Sequence, residues 1–331
     1  MPIRKEQPRL DTSVGPFRRA LQYAYYDWTR EMPRSKRVTT WAGILMQGYA
    51  VYCIFMRSLV WPVIWPHGIL LYGSVWLIYV LGAGLMNAML TSEFVRKTQL
   101  EADQIAARQI QQTLQPGKLD ELPGYELETF YKPFREVGGD YFDVIELAGK
   151  RTLFAVADVS GKGMPAALLA ANIQALVRSG ASFEADPLAL ARQINRHLSR
   201  YTPSDRFATA VFIVLSRDSG ELTYVNAGHN APIVFGSGSA IALEATGVPL
   251  GLFPEAAYEA RTTLLSPGGA LLVFTDGLTD SIPGENAENR LRDALAESSG
   301  RTMPILKSLL DPEFNEDDVT ILLVKRGAHQ A

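Results

Sequence analysis

Residues 153–167 read Leu-Phe-Ala-Val-Ala-Asp-Val-Ser-Gly-Lys-Gly-Met-Pro-Ala-Ala, which predicts a strand, a tight turn and a helix in succession. The apolar run that ends at Asp158 is typical of a short buried strand. Gly161 and Gly163 allow a sharp turn, and Pro165 suits the start of a helix because its missing N–H would have no intrahelical partner there. The alanine- and leucine-rich segment that follows favours helix. The stretch therefore predicts a carboxylate held at the end of a strand.

Taken alone, that aspartate fits a helix cap as well as a functional site, but three similar positions recur along the chain. Asp140 follows two glycines, Asp276 closes an apolar run, and Asp317-Asp318 opens another. Strand ends can converge at one edge of a sheet, and carboxylates gathered there would repel one another unless a cation neutralised them. Ligands that are all oxygen atoms indicate Mg²⁺ or Mn²⁺ rather than zinc.

The chain resembles the metal-dependent Ser/Thr protein phosphatases of the PPM (PP2C-like) class, and in particular their bacterial RsbU/SpoIIE-type branch. The resemblance covers roughly residues 109–326. Its motifs, in family order, are Val-Gly-Gly-Asp-Tyr-Phe-Asp (137–143), Asp-Val-Ser-Gly-Lys-Gly-Met (158–164), Asn-Ala-Gly-His-Asn (226–230), Thr-Asp-Gly-Leu (275–278) and Asp-Asp-Val-Thr (317–320).

The resemblance implies a site with two Mn²⁺ or Mg²⁺ ions. Asp158 would bridge both ions, with the backbone carbonyl of Val159 as a further ligand. Asp140 would hold one ion, and Asp276 and Asp317 the other. Such a pair of ions acidifies a water for attack on a phosphate ester and neutralises the phosphate oxygens. The expected reaction is therefore hydrolysis of phosphoserine and phosphothreonine.

Further polar residues stand in or next to these motifs. Asp318 competes with its neighbour for the role of ligand, and the sequence leaves this choice open. Ser160 stands where eukaryotic members of the class carry a histidine as candidate proton donor, so protonation of the leaving group would come from water, from His229 or from no group at all. Glu136 and Asp143 are interpreted as solvated or capping carboxylates.

The charge distribution divides the chain into three parts. Residues 1–40 carry nine Lys and Arg against four Asp and Glu, residues 41–90 carry only Arg57, and residues 91–331 carry 22 basic against 31 acidic side chains. A basic head, an uncharged middle and an acidic body are typical of a membrane protein with a soluble domain. The single Cys53 excludes an internal disulfide and fits a reducing compartment.

Two uncharged stretches, residues 38–56 and 69–90, are each long enough to cross a bilayer as a helix. We therefore predict a transmembrane hairpin over residues 38–90, after a basic cytoplasmic segment over residues 1–37. A buried hairpin in a soluble protein is the alternative. Positive charge lies on both flanks of the pair, so both termini and the catalytic domain are expected on the cytoplasmic side of the inner or plasma membrane.

The remaining chain is predicted to form a linker helix and one catalytic domain. Residues 91–117 form either a plain spacer or, as the resemblance implies, a signalling helix with a homodimer contact. In residues 118–327, strand patterns are interrupted by a helical pair at 164–180 and 187–201, which suits an antiparallel β-sandwich flanked by helices, the PP2C-like αββα fold. The predicted fold class is thus α+β, preceded by two transmembrane helices.

The sequence therefore predicts a membrane-anchored protein-serine/threonine phosphatase. The resemblance implies a phosphorylated regulatory protein of the anti-anti-sigma type as its partner, in a partner-switching pathway, and nothing indicates nucleic acid. The alternative function is a catalytically silent, phosphatase-like module that sequesters a partner. Retention of all four aspartates argues against that alternative.

Overall fold

The computed structural model describes residues 42–53, 56, 68–116, 122–183, 186–203, 205–236, 239–282, 287–297, 302–311 and 317–328. It divides into two compact units, Met1–Glu101 and Ala102–Ala331. The predicted basic segment over residues 1–37 lies outside the described residues, as does part of the first predicted span.

The N-terminal unit contains two helical segments, α1 over residues 42–53 and α2 over Gly68–Leu114, which continues into the second unit. The two segments contact each other through small residues. A Cβ atom on Gly43 would lie 3.3 Å from Met86, and one on Gly82 would lie 3.6 Å from the Cβ of Met46. The contacting pairs are 43 with 86 and 46 with 82, so residue numbers increase along α1 as they decrease along α2. The two segments therefore run antiparallel.

Within the described residues, one helical stretch, Trp76–Thr113, is long and apolar enough to cross a membrane, by length and composition alone. The second predicted span, residues 69–90, is helical within α2. The two-span hairpin as a whole stays a prediction.

The C-terminal unit is built from two antiparallel sheets that, in the described part of the chain, contain five strands each. The strands are β1 Tyr125–Lys132, β2 Tyr141–Leu147, β3 Arg151–Val159, β4 Ala208–Ser216, β5 Glu221–Ala227, β6 Ile233–Gly236, β7 Ser239–Ala242, β8 Arg261–Leu264, β9 Ala270–Phe274 and β10 Val319–Arg326. The first sheet has the order β1-β10-β9-β6-β7 and the second β2-β3-β4-β5-β8.

Helices cover the outer face of each sheet. They are α3 Met164–Phe183, α4 Pro187–Tyr201, α5 Asp276–Asp280, α6 Ala287–Glu297 and α7 Thr302–Leu309. One apolar cluster, including Phe154 and Val324, fills the space between the sheets. A second cluster packs the second sheet against α3 and α4, and a third packs the first sheet against α6 and α7.

The predicted antiparallel sandwich flanked by helices is therefore confirmed. The helical pair is also confirmed, since α4 begins and ends as predicted and α3 runs three residues longer. Asp186 caps α4 through hydrogen bonds from the N–H groups of Leu188 and Ala189, ahead of a proline at the first helical position. The short elements β7 and α5 were not predicted, because Ser-Ala-Ile-Ala (239–242) and Asp-Gly-Leu-Thr-Asp (276–280) contain neither a long apolar run nor a helical spacing of apolar residues.

Candidate metal centre

The sequence-predicted carboxylates meet at one end of the sandwich. Asp140 directly precedes β2, and Asp158 is the second-to-last residue of β3. The two lie close together because Tyr141 pairs with Ala157 in the antiparallel register. In the other sheet, Asp276 follows the end of β9 and Asp317 precedes β10, which pair through Phe274 and Ile321. The fold thus brings residues from distant parts of the chain to a single edge.

Asp140 links the two sheets through hydroxyl groups. Its Oδ2 accepts hydrogen bonds from Thr275 Oγ1 at 2.8 Å and from Thr320 Oγ1 at 2.5 Å, both from the opposite sheet. The side chain is buried, and this burial, together with the neighbouring Asp158, raises its pKa well above the usual value. One carboxylate oxygen of Asp140 is therefore already engaged by protein donors.

Asp158 is the centre of the negative charge. Burial raises its pKa to about 7, and Asp276, Asp317 and Asp318 add to this rise, whereas Lys162 opposes it. Burial also raises the pKa of Asp276, with contributions from Asp280 and Asp317. Burial is the larger cause of both shifts, and the neighbouring carboxylates add to it by disfavouring one another's charged forms.

Asp317 and Asp318 differ sharply in their surroundings. Asp318 is 7% exposed, and its two oxygens accept the N–H groups of Phe134 at 2.7 Å and Gly139 at 2.6 Å. The side chain of Asp317 is 32% exposed and faces the ammonium group of Lys162 at 2.8 Å. Both carboxylates therefore lie near the acidic edge, but the oxygens of Asp318 are occupied by backbone N–H groups, whereas Asp317 pairs with a side chain.

Lys162 lies in the turn that the sequence placed between β3 and α3. Gly161 and Gly163 on either side have φ angles of +97° and +78°, which only glycine adopts readily. The turn directs Lys162 toward Asp317 and over the ring of Phe134, 5.2 Å from the ring centroid. A cationic side chain therefore stands among the carboxylates.

The carbonyl group of Val159 also belongs to this edge. A Cβ atom on residue 139 would lie 3.2 Å from the Val159 carbonyl oxygen, so glycine at this position leaves room for the close approach of the two backbone segments. The carbonyl thus lies beside the loop that carries Asp140.

His229 lies inside the sandwich rather than on its surface. It is 5% exposed, and its Nδ1 is 2.9 Å from the hydroxyl of Thr209, the residue opposite Asp158 on β4. Burial lowers the pKa of His229 to about 4, so the ring is neutral at pH 7. Its backbone N–H is held by the Asn226 side chain at 2.8 Å.

The interpretation of Asp143 as a solvated or capping carboxylate is wrong. Asp143 is 1% exposed and forms an ion pair with Arg178 of α3, at 2.7 Å from Nε. A partner 35 residues away could not be inferred from local sequence. Glu136, by contrast, is exposed and pairs with Arg108 at 2.8 Å.

Three residues that form hydrogen bonds at or next to the site were not singled out from the sequence. Thr275 and Thr320 donate to Asp140, and Gln111 bonds to the backbone of Gly138. Both threonines stand within the quoted motifs, beside Asp276 and two residues after Asp318, so their proximity to ligand candidates was the available signal. Gln111 belongs to no motif.

The donor set fits hard divalent cations. Carboxylate and carbonyl oxygens are the ligands that Mg²⁺ and Mn²⁺ prefer, and their mutual repulsion is relieved by positive charge. Within the residues that the structure describes, no three His, Cys, Asp or Glu side chains are grouped tightly enough to form a ready-made cage. The ammonium of Lys162 occupies a position among Asp158, Asp276 and Asp317 where it acts electrostatically as a cation.

Residues 148–327 match the family model for Stage II sporulation protein E (SpoIIE). Phosphoserine phosphatase RsbU of Bacillus subtilis is 27% identical over 177 residues, covering 53% of this chain and 52% of RsbU. The chain spans about half the length of the curated relatives that it matches.

Two solved structures share the fold. The RsbU and RsbW domains of Rv1364c from Mycobacterium tuberculosis are 30% identical with a TM-score of 0.55, covering 62% of this chain and 61% of that one. RsbX, solved in complex with magnesium, is 22% identical with a TM-score of 0.51, covering 63% and 99%. Because the family model spans more than half of the sequence and the sandwich agrees with these structures, the chain belongs to the SpoIIE family of PP2C-like proteins.

Proposed function

We propose that this chain is a membrane-anchored, metal-dependent protein-serine/threonine phosphatase that acts on a phosphorylated regulatory protein in a partner-switching pathway. The observation that carries the proposal is the convergence of Asp140, Asp158, Asp276 and Asp317 at one sandwich edge, in a chain of the SpoIIE family. RsbU and RsbP, two relatives, are phosphoserine phosphatases.

Asp158 would bridge two Mn²⁺ or Mg²⁺ ions, Asp140 and the Val159 carbonyl would hold one, and Asp276 and Asp317 the other. Asp317 is favoured over Asp318 because both oxygens of Asp318 already accept backbone N–H groups. When bound, such ions lower the pKa of a water and neutralise phosphate oxygens.

The protein's own residues prepare this site before any substrate arrives. Thr275 and Thr320 hold one oxygen of Asp140, and the other oxygen is the one that we propose binds a metal ion. Lys162 offers a positive charge to Asp317, and an anionic phosphate group would compete for it.

His229 contacts the hydroxyl of Thr209, the cross-strand neighbour of Asp158, and we infer that it orders this part of the site rather than donating a proton. It is buried, and its pKa of about 4 makes it neutral at the pH of the cytoplasm. A neutral buried imidazole is a poor general acid at pH 7. We therefore infer that the leaving group takes its proton from water.

The alternative is a silent module that binds a partner without hydrolysis. A module of that kind would not need to keep four converging carboxylates, whose burial and mutual repulsion raise the pKa of Asp158 and Asp276 and destabilise the metal-free fold. Metal-dependent turnover separates the two functions.

The membrane anchor is supported by the N-terminal unit. The helical segments α1 and α2 contact each other through glycine positions, as membrane helices commonly do. Large apolar side chains remain exposed along both segments, including Leu45, Tyr49, Leu77 and Leu85, and a lipid environment would cover them.

This anchor predicts a defined topology. A reporter that works only in the cytoplasm should be active when fused before Met1 or after Ala331, and inactive when inserted next to Trp65, because basic residues flank both predicted spans and Arg57 alone lies between them. Activity at the Trp65 insertion, measured at equal expression, would contradict a two-span hairpin.

The enzymatic proposal predicts metal-dependent selectivity for phosphoserine and phosphothreonine proteins. With Mn²⁺, the purified chain should hydrolyse a small phosphoserine regulator with a kcat/KM on the order of 100-fold above that for nucleotides or phosphotyrosine peptides. EDTA should stop the reaction with every substrate. A preference for nucleotides would overturn the regulatory substrate, and turnover in chelator would overturn the metal mechanism.

The same assay tests the inferred role of His229. His229→Ala should slow phosphoserine peptide and p-nitrophenyl phosphate equally, because it acts through Thr209 on the site rather than on the leaving group. A loss confined to the phosphoserine peptide, whose alkoxide needs protonation, would instead assign His229 as the proton donor.

A further inference from the structure

The side-chain amide of Gln111, near the C-terminal end of α2, makes two hydrogen bonds to the backbone of one residue, Gly138. Nε2 donates to the Gly138 carbonyl at 2.7 Å, and the Gly138 N–H donates to Oε1 at 3.1 Å. Both ends of the amide are used. A flipped amide would set donor against donor and acceptor against acceptor, so its partners fix its orientation.

In the loop over residues 134–139, the two residues directly before Asp140 are Gly138 and Gly139, which have no side chains with which to fix the backbone. A Cβ atom on residue 138 would overlap the Tyr131 hydroxyl and lie 2.6 Å from Asp318 Oδ2, so only glycine fits there. The loop therefore depends on hydrogen bonds from elsewhere. Asp318 supplies one of them, to the N–H of Gly139 at 2.6 Å, and Gln111 supplies two.

Asp140 follows this loop directly. Its Oδ2 is held by Thr275 and Thr320, so the side chain is fixed at one end and the backbone two residues earlier is fixed by Gln111. Release of Gly138 would let the backbone pivot about the two threonines. That movement would change where the other carboxylate oxygen points.

The ion pair between Arg108 and Glu136 makes a useful comparison. Arg108 lies one turn before Gln111 and reaches the same loop, at 2.8 Å, but both side chains are about half exposed. Exposed ion pairs of this kind contribute little to local order. Of these two polar contacts between α2 and the loop, the hydrogen bonds of Gln111 are therefore the ones expected to hold the loop in place.

We propose that Gln111 is a positioning residue for the metal ligand Asp140, acting through Gly138. This inference rests on the proposed function, since it assumes that Asp140 binds a metal ion. It also means that the segment in front of the sandwich contributes directly to metal affinity.

The test replaces Gln111 by the similarly shaped but apolar Met in the full chain, purified in detergent. Two readouts do not depend on catalysis: amide hydrogen exchange over residues 134–140 in EDTA, and Mn²⁺ binding followed by the electron paramagnetic resonance of the free ion. Gln111→Met should speed exchange at Gly138 and weaken Mn²⁺ binding by roughly 10-fold, the usual size of effects from residues that orient a metal ligand.

Two control variants test whether the effect is specific to Gln111. Gln112→Met alters the next residue, which is exposed, and Arg108→Ala removes the exposed ion pair; both should keep wild-type exchange and Mn²⁺ affinity. Wild-type values for both readouts in Gln111→Met would overturn the proposal.

If that variant does not fold, Gln111→Asn keeps the amide but shortens its reach, and wild-type values there would overturn it equally. A wild-type chain that binds no Mn²⁺ would refute the proposed function, whereas exchange in metal-free protein would still report whether Gln111 holds the loop.

Discussion

Asp158→Asn is expected to lower kcat/KM for a phosphoserine substrate on the order of 1,000-fold while the chain stays folded. Asparagine keeps the shape but offers a single neutral oxygen, so it cannot bridge two cations. A loss of about 4 kcal/mol of transition-state stabilisation is in the range attributed to metal-held charge, and it corresponds to that factor in rate. The measurement is a steady-state assay at saturating Mn²⁺ beside thermal unfolding of the same samples.

The same variant carries a pH signature that no general loss of structure would produce. In EDTA, the pKa of Asp158 is about 7 in the folded protein against 3.8 ordinarily, so the folded state holds a proton that the unfolded chain releases. The free energy of unfolding should therefore fall as pH rises from about 4 to about 7 in the wild type. Asp158→Asn should lose this contribution and be the more stable protein at pH 7.5, with the difference vanishing near pH 4. Equal stability at both pH values would contradict the repulsive cluster.

Gly277→Ala is expected to destabilise the C-terminal unit by about 3 kcal/mol or more. Gly277 lies at the start of α5, and an added Cβ would overlap the carbonyl oxygen of Asp318 and lie 2.9 Å from the carbonyl carbon. Backbone atoms cannot turn aside as a flexible side chain can, so α5 must move away from the start of β10. Asp276 and Asp317 would then separate, and the Mn²⁺ requirement should rise together with the loss of stability.

Gly124→Ala is a suitable control for Gly277→Ala. Gly124 has a φ angle of +84° and open space around its Cα, so alanine there meets only the backbone strain of the left-handed region, about 1 kcal/mol. Denaturant unfolding of both variants separates steric overlap from backbone strain. A similar small loss in both would show that α5 can shift freely and that its contact with β10 does not position the carboxylates.

The strands and the helical pair were predictable from the sequence because their signals are local, and the acidic residues stood out at the ends of apolar runs, while their role as metal ligands stays a prediction. A buried strand, a glycine turn and an N-terminal proline are all present within residues 153–167, and α4 carries its own cap in Asp186. The layered fold followed from the same local patterns and was confirmed. The N-terminal hairpin is a prediction of the same kind, since its span lengths and flanking charges are local too.

Only the tertiary structure distinguished residues that look alike in sequence. Asp317 and Asp318 are adjacent and chemically identical, yet the tertiary structure places their side chains in different surroundings. One therefore reaches Lys162, while the other meets the backbone of Phe134, 184 residues away along the chain. Gln111 and Gly138 are likewise paired by packing rather than by any motif. Local sequence determines which elements form, but hydrogen bonds between distant segments depend on how the two sheets and their helices pack, and no short pattern contains that information.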